Sequence, residues 1–400
     1  MKVAIVHDYI KEFGGAERVL EALTEIYPDA PIYTAFYDKR GTAYEHFKNK
    51  KIITSWAHDI PFFISKLHSP LRFLAPFIWE SFNLSEYGVV ISSASWYVTK
   101  GLKKHFDKSH FIEVCYCHTP PRWLYGYNTS VNFQKYPLVK AYAAIVGHFM
   151  RLYDFERAQK VDYFIANSKE VAGRITKFYR RDSTVIYPPA GIIGGPVKSN
   201  PSNLRVKLRL ASPLSAACPS ELEERSGVGS PSSFATPYYL IVSRIVGAKG
   251  LDIAIEAALK GGFKLKIAGS QAGYFSLNQP KSKQIEFLGQ VTDEELVKLY
   301  EGAKGFLALS RDEDFGITPV ESMSVGTPVI AFNGGGYKET VVDKKTGLLF
   351  DDYSVDGLIS AIKQFNNLTI NPKDCITQAL KFSKERFKKE IKEFIEAHKK

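Results

Sequence analysis

The stretch Phe306-Leu307-Ala308-Leu309-Ser310-Arg311-Asp312-Glu313-Asp314-Phe315-Gly316-Ile317-Thr318-Pro319-Val320-Glu321 passes from an apolar run into an acidic loop and then into a helical pattern. An apolar run without alternation is the signature of a strand covered on both faces, and ligands of parallel α/β sheets bind beyond the carboxyl ends of such strands. Thr318 is the expected N-cap and Pro319 the first helical residue, with the helix running through Ser322-Met323-Ser324-Val325 to a stop at Gly326-Thr327-Pro328. The amides of Gly316, Ile317 and Thr318 then point at an anion. Glu313 and Glu321 lie eight positions apart, one in the loop and one in the first turn, so both can face one ligand. For Glu321 the spacing fits equally a capping box with Thr318, which would satisfy the helix's own amides. Glu313 has no such local use beyond that of a solvated loop carboxylate.

The same strand, loop and helix order recurs on both sides of this stretch. Tyr238 to Ser243, Leu265 to Ala268, Ile285 to Leu288, Gly305 to Leu309 and Pro328 to Phe332 read as strands, with helices at Leu251 to Leu259 and Asp293 to Tyr300. Earlier in the chain, Val3 to Val6 is a β-branched run that ends in a Gly14-Gly15 loop and the helical pattern Ala16 to Leu23. Strand candidates at Val89 to Ile91, Phe111 to Tyr116, Tyr163 to Ala166 and Thr184 to Tyr187 follow. The fold class is therefore α/β, with two doubly wound domains in tandem facing across a cleft that holds the site. The expected division is 1–187 for the first domain, 188–236 for a linker or irregular insertion and 237–381 for the second domain. An amphipathic helix at 382–400 closes the chain, its apolar positions Phe382, Phe387, Ile391, Phe394 and Ile395 set among lysines. Ala190 to Thr236 is rich in Ser, Pro, Gly and Ala, and the alternating Leu204 to Leu210 within it reads first as solvated linker, with a strand or a basic binding segment as the alternatives.

Composition narrows the partners. The chain has 400 residues, enough for two domains, with 45% hydrophobic and 24% charged residues as in ordinary globular proteins. A formal charge of +11 favours anionic partners. The basic residues are scattered and no nucleic-acid motif is present, so nucleic acid is not expected as the partner. Four cysteines are too few for a disulfide framework, and the short apolar start is unlike a signal peptide, so a cytoplasmic protein is expected. No stretch reaches the ~18 apolar residues of a spanning helix. The nearest, Leu138 to Tyr153, carries Lys140, His148 and Arg151. Any membrane contact is then peripheral. Pro61 to Leu74, where aromatic and aliphatic residues interleave with Lys66, His68 and Arg72, fits an anionic membrane surface and fits ordinary core helices equally well.

Further candidates lie at strand ends. Arg244 and Lys249 follow the strand ending at Ser243 and suit a diphosphate or simply the surface. Asn333-Gly334-Gly335-Gly336 is a second glycine loop between a strand and a helix. Cys115-x-Cys117-His118 lacks a second pair of metal ligands, so the cysteines read as packed strand residues. His118, at a strand end facing the cleft, can donate to a substrate hydroxyl. An alternative chemistry uses Asp312-x-Asp314 to hold a divalent metal.

Gly14-Gly15-Ala16-Glu17, His118-Thr119-Pro120-Pro121, Ser243-Arg244 with Lys249-Gly250, and the pair Glu313 and Glu321, in this order, resemble the retaining glycosyltransferases of family 4, which have the GT-B fold. Phe382 to Phe387 is similar to the mannosyltransferases of that family, whose last helix commonly crosses back to the first domain. The resemblance implies a hexosyltransferase moving mannose from GDP-mannose to a saccharide or lipid-linked acceptor, with configuration retained, no metal and no cofactor. It implies that Arg244 and Lys249 neutralise the donor diphosphate and that Gly316, Ile317 and Thr318 line the donor site. Glu313 would bind hydroxyls of the transferred sugar and Glu321 the ribose. His118 would contact the sugar near the reacting centre, and Gly14 and Gly15 would let their loop approach diphosphate or acceptor. Two departures stand out. Tyr187-Pro188-Pro189 is followed by Ala190-Gly191 and the long irregular stretch where the family has a Val-Asp pair, and Gly247-Ala248 precedes Lys249 where bulkier residues are common. A nucleotide-sugar-binding scaffold without activity is the remaining reading.

Overall fold

The computed structural model describes residues 1–103, 111–127, 137–191, 237–270, 280 and 282–399. The irregular stretch lies outside the described residues from 192 onward, Leu204 to Leu210 included. Two parallel sheets organise the rest. The first contains β1 (Val3–His7), β2 (Ile32–Thr34), β3 (Ile52–Thr54), β4 (Val89–Ala94), β5 (Ile112–Cys117), β6 (Tyr163–Ala166) and β7 (Thr184–Val185), in the spatial order β3-β2-β1-β4-β5-β6-β7. The second contains β8 (Tyr238–Val242), β9 (Lys264–Ala268), β10 (Ile285–Gly289), β11 (Gly305–Ala308), β12 (Val329–Phe332) and β13 (Gly347–Phe350), in the order β10-β9-β8-β11-β12-β13. Each sheet reverses its winding once, between β1 and β4 and between β8 and β11. At these two points the loops diverge and leave a crevice.

The strands are buried on alternate sides, which is why their sequences read as continuous apolar runs. Ile5 packs on one face of the first sheet with the helix Gly15–Ile26, while Ala4 and Val6 pack on the other among Phe36, Ile78 and Trp79. Tyr116 belongs to the first of these faces. Cys115 and Cys117 point away from it and pack as free, fully buried thiols against Val171, Ile175 and Tyr179 of the helix Lys169–Tyr179. In the second domain Tyr239, Ile241 and Leu307 face the helix Leu251–Gly261, whereas Leu240, Phe306 and Val329 face Tyr300 and Met323.

The helix Lys384–His398 crosses back to the first domain. Its apolar stripe of Phe387, Ile391 and Ile395 completes the core formed by Val19, Leu20 and Leu23. Lys384 and Lys388 meet Glu25 of the helix beneath at 2.8 and 2.6 Å.

β2, β3 and β13 have no counterpart among the strands expected from sequence. β2 and β3 have three residues each and β13 four, and their pairing is supplied by the neighbouring strand. The start of the helix after the acidic loop also differs. It spans Ile317–Ser324 with Gly316 as N-cap, so Thr318 is the second helical residue and Pro319 the third. Gly316 has φ 90°, a left-handed value that glycine adopts without strain, and it turns the chain into the helix two residues earlier than a threonine cap would.

Candidate functional site

The carboxyl ends of β1, β4 and β5 hold one wall of the cleft. β1 and β4 place His7 directly opposite Ser93, and β4 and β5 place Ser93 opposite Tyr116, so that His118, two residues on, falls on the same side. The result is a continuous polar chain. Ser93 Oγ is 2.8 Å from His118 Nε2 and 2.9 Å from His7 Nδ1, and His7 Nε2 lies 3.7 Å from Glu17 Oε1. Glu17 in turn accepts from the Gly14 amide at 3.0 Å, which anchors the glycine loop to the same network. Burial and the neighbouring His7 push the His118 pKa down to about 3. His118 is therefore a neutral imidazole near pH 7, with Nε2 engaged by Ser93.

Next to it Asp8 is buried and accepts from the Ser95 amide (3.1 Å), the Ser95 hydroxyl (2.7 Å), the Trp96 amide and the Thr99 hydroxyl. This carboxylate pins the loop after β4 in place. Sequence reading gave it no role, because its partners are some ninety residues away.

The opposite wall is the loop from Ser310 to Phe315 with the helix Ile317–Ser324. Glu313 Oε2 lies 2.6 Å from Lys249 Nζ and accepts from the Tyr337 hydroxyl at 3.2 Å. Burial raises the Glu313 pKa, but Lys249 and Arg122 outweigh it and hold the carboxyl at about 2, ionised at any ordinary pH. The glycine run after β12 has a clear packing role. A Cβ on Gly335 would stand 2.3 Å from the Glu313 carbonyl oxygen, and one on Gly336 would stand 2.4 Å from Phe315 Cα. These glycines let the second strand-end loop lie directly against the acidic loop.

Glu321 does not form the capping box with Thr318. Its buried carboxylate reaches back to Arg18 of the first domain at 3.0 Å and to the Tyr300 hydroxyl at 3.2 Å. Burial raises its pKa, opposed by Arg18 and Tyr300. The helix N-terminus keeps its amides without a side-chain cap, as an anion site requires. Gly15 faces it, since a Cβ there would stand 3.0 Å from Ile317 Cδ1, so the glycine loop of one domain meets the helix Ile317–Ser324 of the other. Arg244 is less integrated: its side chain is 57% exposed and lies 3.5 Å from Glu12 across the cleft, apart from the Lys249–Glu313 pair.

A second group of contacts was not visible in the sequence. Asp314 Oδ1 is bound by Arg122 at 2.8 Å and Arg174 at 2.6 Å, both from the first domain, and Arg174 also donates to Thr119 at 3.1 Å. The Arg122 guanidinium donates to the Asp312 carbonyl and the Ser168 hydroxyl to the Asp314 carbonyl. Beside them the Glu339 carboxylate accepts from the amides of Lys169 (2.8 Å) and Glu170 (3.0 Å), capping a first-domain helix from the second domain. With two guanidiniums on it, the Asp314 carboxylate is electrostatically unsuited to a divalent cation. Among the described residues no group of three or more His, Cys, Asp or Glu is arranged to hold a metal. Asp314 stood out in sequence only beside Asp312, and nothing local pairs it with Arg122 and Arg174 of the first domain.

Comparison with known proteins places this geometry. Residues 231–382 match the family model of glycosyl transferases group 1. A glycogen synthase of Thermodesulfovibrio yellowstonii is 34% identical over 166 residues, which is 38% of this chain and 33% of that protein. The alpha-1,3/1,6-mannosyltransferase ALG2 of Rhizomucor pusillus is 47% identical over 70 residues, 18% of this chain and 15% of that one. The chain thus spans about a third or less of the length of these curated relatives. Among solved structures, Anabaena Alr3699/HepE in complex with UDP and glucose superimposes with a TM-score of 0.64 at 17% identity, over 99% of both chains. The two-domain architecture is that of GT-B glycosyltransferase structures.

Proposed function

We propose that this chain, whose residues 231–382 match the family model of glycosyl transferases group 1, is a retaining hexosyltransferase that takes a nucleoside diphosphate hexose as donor and a saccharide or lipid-linked saccharide as acceptor. One observation carries the reading: an ionised Glu313, held by Lys249 and Tyr337 at the end of β11, stands beside the uncapped amides at Ile317 and faces a wall that bears the neutral His118. As the bond from sugar to phosphate breaks, negative charge grows on the leaving diphosphate and positive charge on the sugar. Fixed amides and an ammonium stabilise the first, and an ionised carboxylate the second.

Lys249 is paired with Glu313, and the donor diphosphate competes for the ammonium, freeing Glu313 to accept sugar hydroxyls. Arg244, exposed at the mouth, is placed to follow the phosphates. Glu321, ion-paired with Arg18, is assigned to the ribose, and Gly14 and Gly15 to the approach of diphosphate or acceptor. His118 donates or accepts at the sugar through the nitrogen that Ser93 does not use. The leaving phosphate itself takes the acceptor proton, so no separate base, metal or cofactor is assigned. The engagement of Asp314 by two arginines favours this over a metal-bound Asp312-x-Asp314 site.

GDP-mannose is the first-choice donor, supported by the likeness to a mannosyltransferase, with UDP-glucose second in view of the UDP and glucose bound by the Anabaena protein. Thermal unfolding in EDTA with GDP-mannose, UDP-glucose, UDP-N-acetylglucosamine and ADP-glucose tests it. A donor at 100 times its dissociation constant stabilises by about 2.7 kcal/mol, a shift of several degrees. The expected outcome is a shift with one donor that is much smaller in Glu313→Ala, together with release of the nucleoside diphosphate on turnover. No shift with any sugar nucleotide would overturn the proposal; a shift without turnover would leave a binding scaffold.

A further inference from the structure

The loops after β1, β4 and β5, which carry Asp8, Ser95 and His118 on the first-domain wall, also carry Tyr9, Trp96 and Trp123. Against them lies the segment from Pro61 to Leu74, which the fold divides between core and surface. Phe63 is fully buried, edge-on to Phe36 with ring centroids 5.8 Å apart, whereas Phe62 is exposed. Arg72 lies against the two indoles: its Cζ is 5.1 Å from the centre of the Trp96 ring and 5.2 Å from that of Trp123. Trp123 Nε1 donates to the Trp96 carbonyl at 3.1 Å and the Trp96 amide donates to Asp8, so both tryptophans are tied to the wall.

What sets Arg72 apart is a missing counter-charge. Arg18 has Glu321, Arg122 and Arg174 share Asp314, and Arg244 has Glu12. Arg72 is partly buried, burial lowers its pKa, and among the described residues no carboxylate pairs with it. Nη2 donates to the Ser69 hydroxyl, and the other N–H groups have no acceptor among the described residues. A guanidinium withdrawn from water without an opposite charge is costly, and contact with indole rings offsets only part of that cost. An oxyanion at the open N–H edge supplies the rest.

The surroundings carry the same sign. Lys11 Nζ reaches the Ile64 carbonyl at 3.4 Å and no acid among the described residues. His68 feels both cations: burial, Lys11 and Arg72 bring its pKa down to about 4, and its buried Nδ1 has no hydrogen-bond partner among the described residues. The acids close by are already engaged, Asp8 by Ser95, Trp96 and Thr99, and Glu17 by the Gly14 amide and His7. Burial, Glu17 and Asp8 raise the pKa of Tyr9, while Arg244 of the second domain and Arg72 lower it, so its hydroxyl lies on the cleft side of the cluster.

We infer that Arg72, seated against Trp96 and Trp123 with Lys11 and Tyr9 nearby, binds an oxyanion carried by the acceptor, a sugar carboxylate or a phosphate, and so selects an acidic saccharide over a neutral one. The inference rests on the transferase reading above and adds to it the charge of the acceptor.

Titration calorimetry of the full chain with methyl β-glucuronide, glucose 6-phosphate and the neutral methyl β-glucoside tests it. At least one acidic ligand is expected to bind about tenfold or more tighter than the neutral glycoside, with an advantage that shrinks as salt rises. Preference for the glucuronide identifies a carboxylate, and preference for the phosphate a phosphorylated acceptor. Arg72→Gln is expected to abolish the preference, and Arg72→Lys, which keeps the charge but not the planar fork, to retain part of it. Should Arg72→Gln fail to fold, Lys11→Gln is expected to reduce the preference several-fold. Equal affinity for acidic and neutral ligands, no binding of any of the three, or a preference that survives these substitutions in full would overturn the inference. The donor-dependent thermal shift is read on the same proteins. Its absence beside an intact acid preference counts against the donor reading and leaves this site standing. A donor shift present in the wild type and lost in Arg72→Gln would assign the anion to the donor's own diphosphate and overturn the acceptor assignment.

Discussion

His118 illustrates how one residue's chemistry is set by strand register. Its ring is held by Ser93 Oγ, which also serves His7, and the burial that makes the chain possible keeps the imidazole neutral, with a pKa of about 3 against the ordinary 6.5. Between those values the unfolded chain binds a proton that the folded chain does not. Folding stability therefore falls as pH is lowered from about 6.5 towards 3. Glu113 works in the opposite sense: burial raises its carboxyl to about 7, so the folded state holds a proton that the unfolded state releases above about 4.5, and stability rises as pH falls through that interval. A single stability profile mixes the two, whereas the difference between wild type and His118→Asn isolates the histidine. That difference is expected to shrink by a few kcal/mol between pH 7 and pH 4. Parallel unfolding curves for the two proteins across this range would show that His118 is not desolvated as described. The histidine was readable as a strand-end residue facing a cleft; that Ser93, His7 and Glu17 stand behind it depends on the parallel pairing of β1 with β4, which no local pattern displays.

At the scale of elements, the helix Lys384–His398 shows packing outweighing charge. Phe387 is fully buried and lies edge-on to Tyr116 with ring centroids 5.7 Å apart. Phe387→Ala is expected to cost about 3–5 kcal/mol. Lys384 meets Glu21 and Glu25 but is 38% exposed, so Lys384→Ala is expected to cost below ~1 kcal/mol. Denaturant midpoints of the two variants compare them directly; equal losses would mean that the helix is held by its ion pairs. The apolar spacing of this helix was plain in the sequence. Its partner, the helix Gly15–Ile26, was equally plain, yet nothing in either pattern specified that they meet. The helix Ile317–Ser324 makes the complementary point: a sequence with both Thr318 and Pro319 in favoured starting positions begins at Gly316 instead, because its φ of 90° and the close approach of Tyr337 fix the turn there.

Across the whole molecule, the two domains are joined by Asp314 with Arg122 and Arg174, by Glu339 on the helix at Lys169, and by Arg18 with Glu321. Asp314→Asn leaves two largely buried guanidiniums facing a neutral amide, which is expected to cost about 2–4 kcal/mol and to loosen the cleft. Small-angle scattering is expected to report a larger radius of gyration for this variant, alongside a lowered melting midpoint. An unchanged radius and midpoint would show that the clamp contributes nothing to closure. Because Glu321 is held by Arg18 of the first domain, the proposed binding of ribose at Glu321 and opening of the clamp are expected to influence each other.

The sequence by itself determined that this protein is α/β with two tandem parallel sheets, since strands covered on both faces must be written as continuous apolar runs between helical periods. It also determined that the residues from Ser310 to Glu321 follow a strand's carboxyl end, the side on which parallel sheets place their ligands. Which carboxylate meets which cation was decided only by tertiary structure. Glu321 is bound by Arg18, Asp314 by Arg122 and Arg174, and Glu313 by Lys249, over separations of 64 residues for the last pair and far more for the others. Charged side chains find partners wherever the fold brings them out of water together, and that proximity is a property of the packed sheets rather than of any stretch of chain.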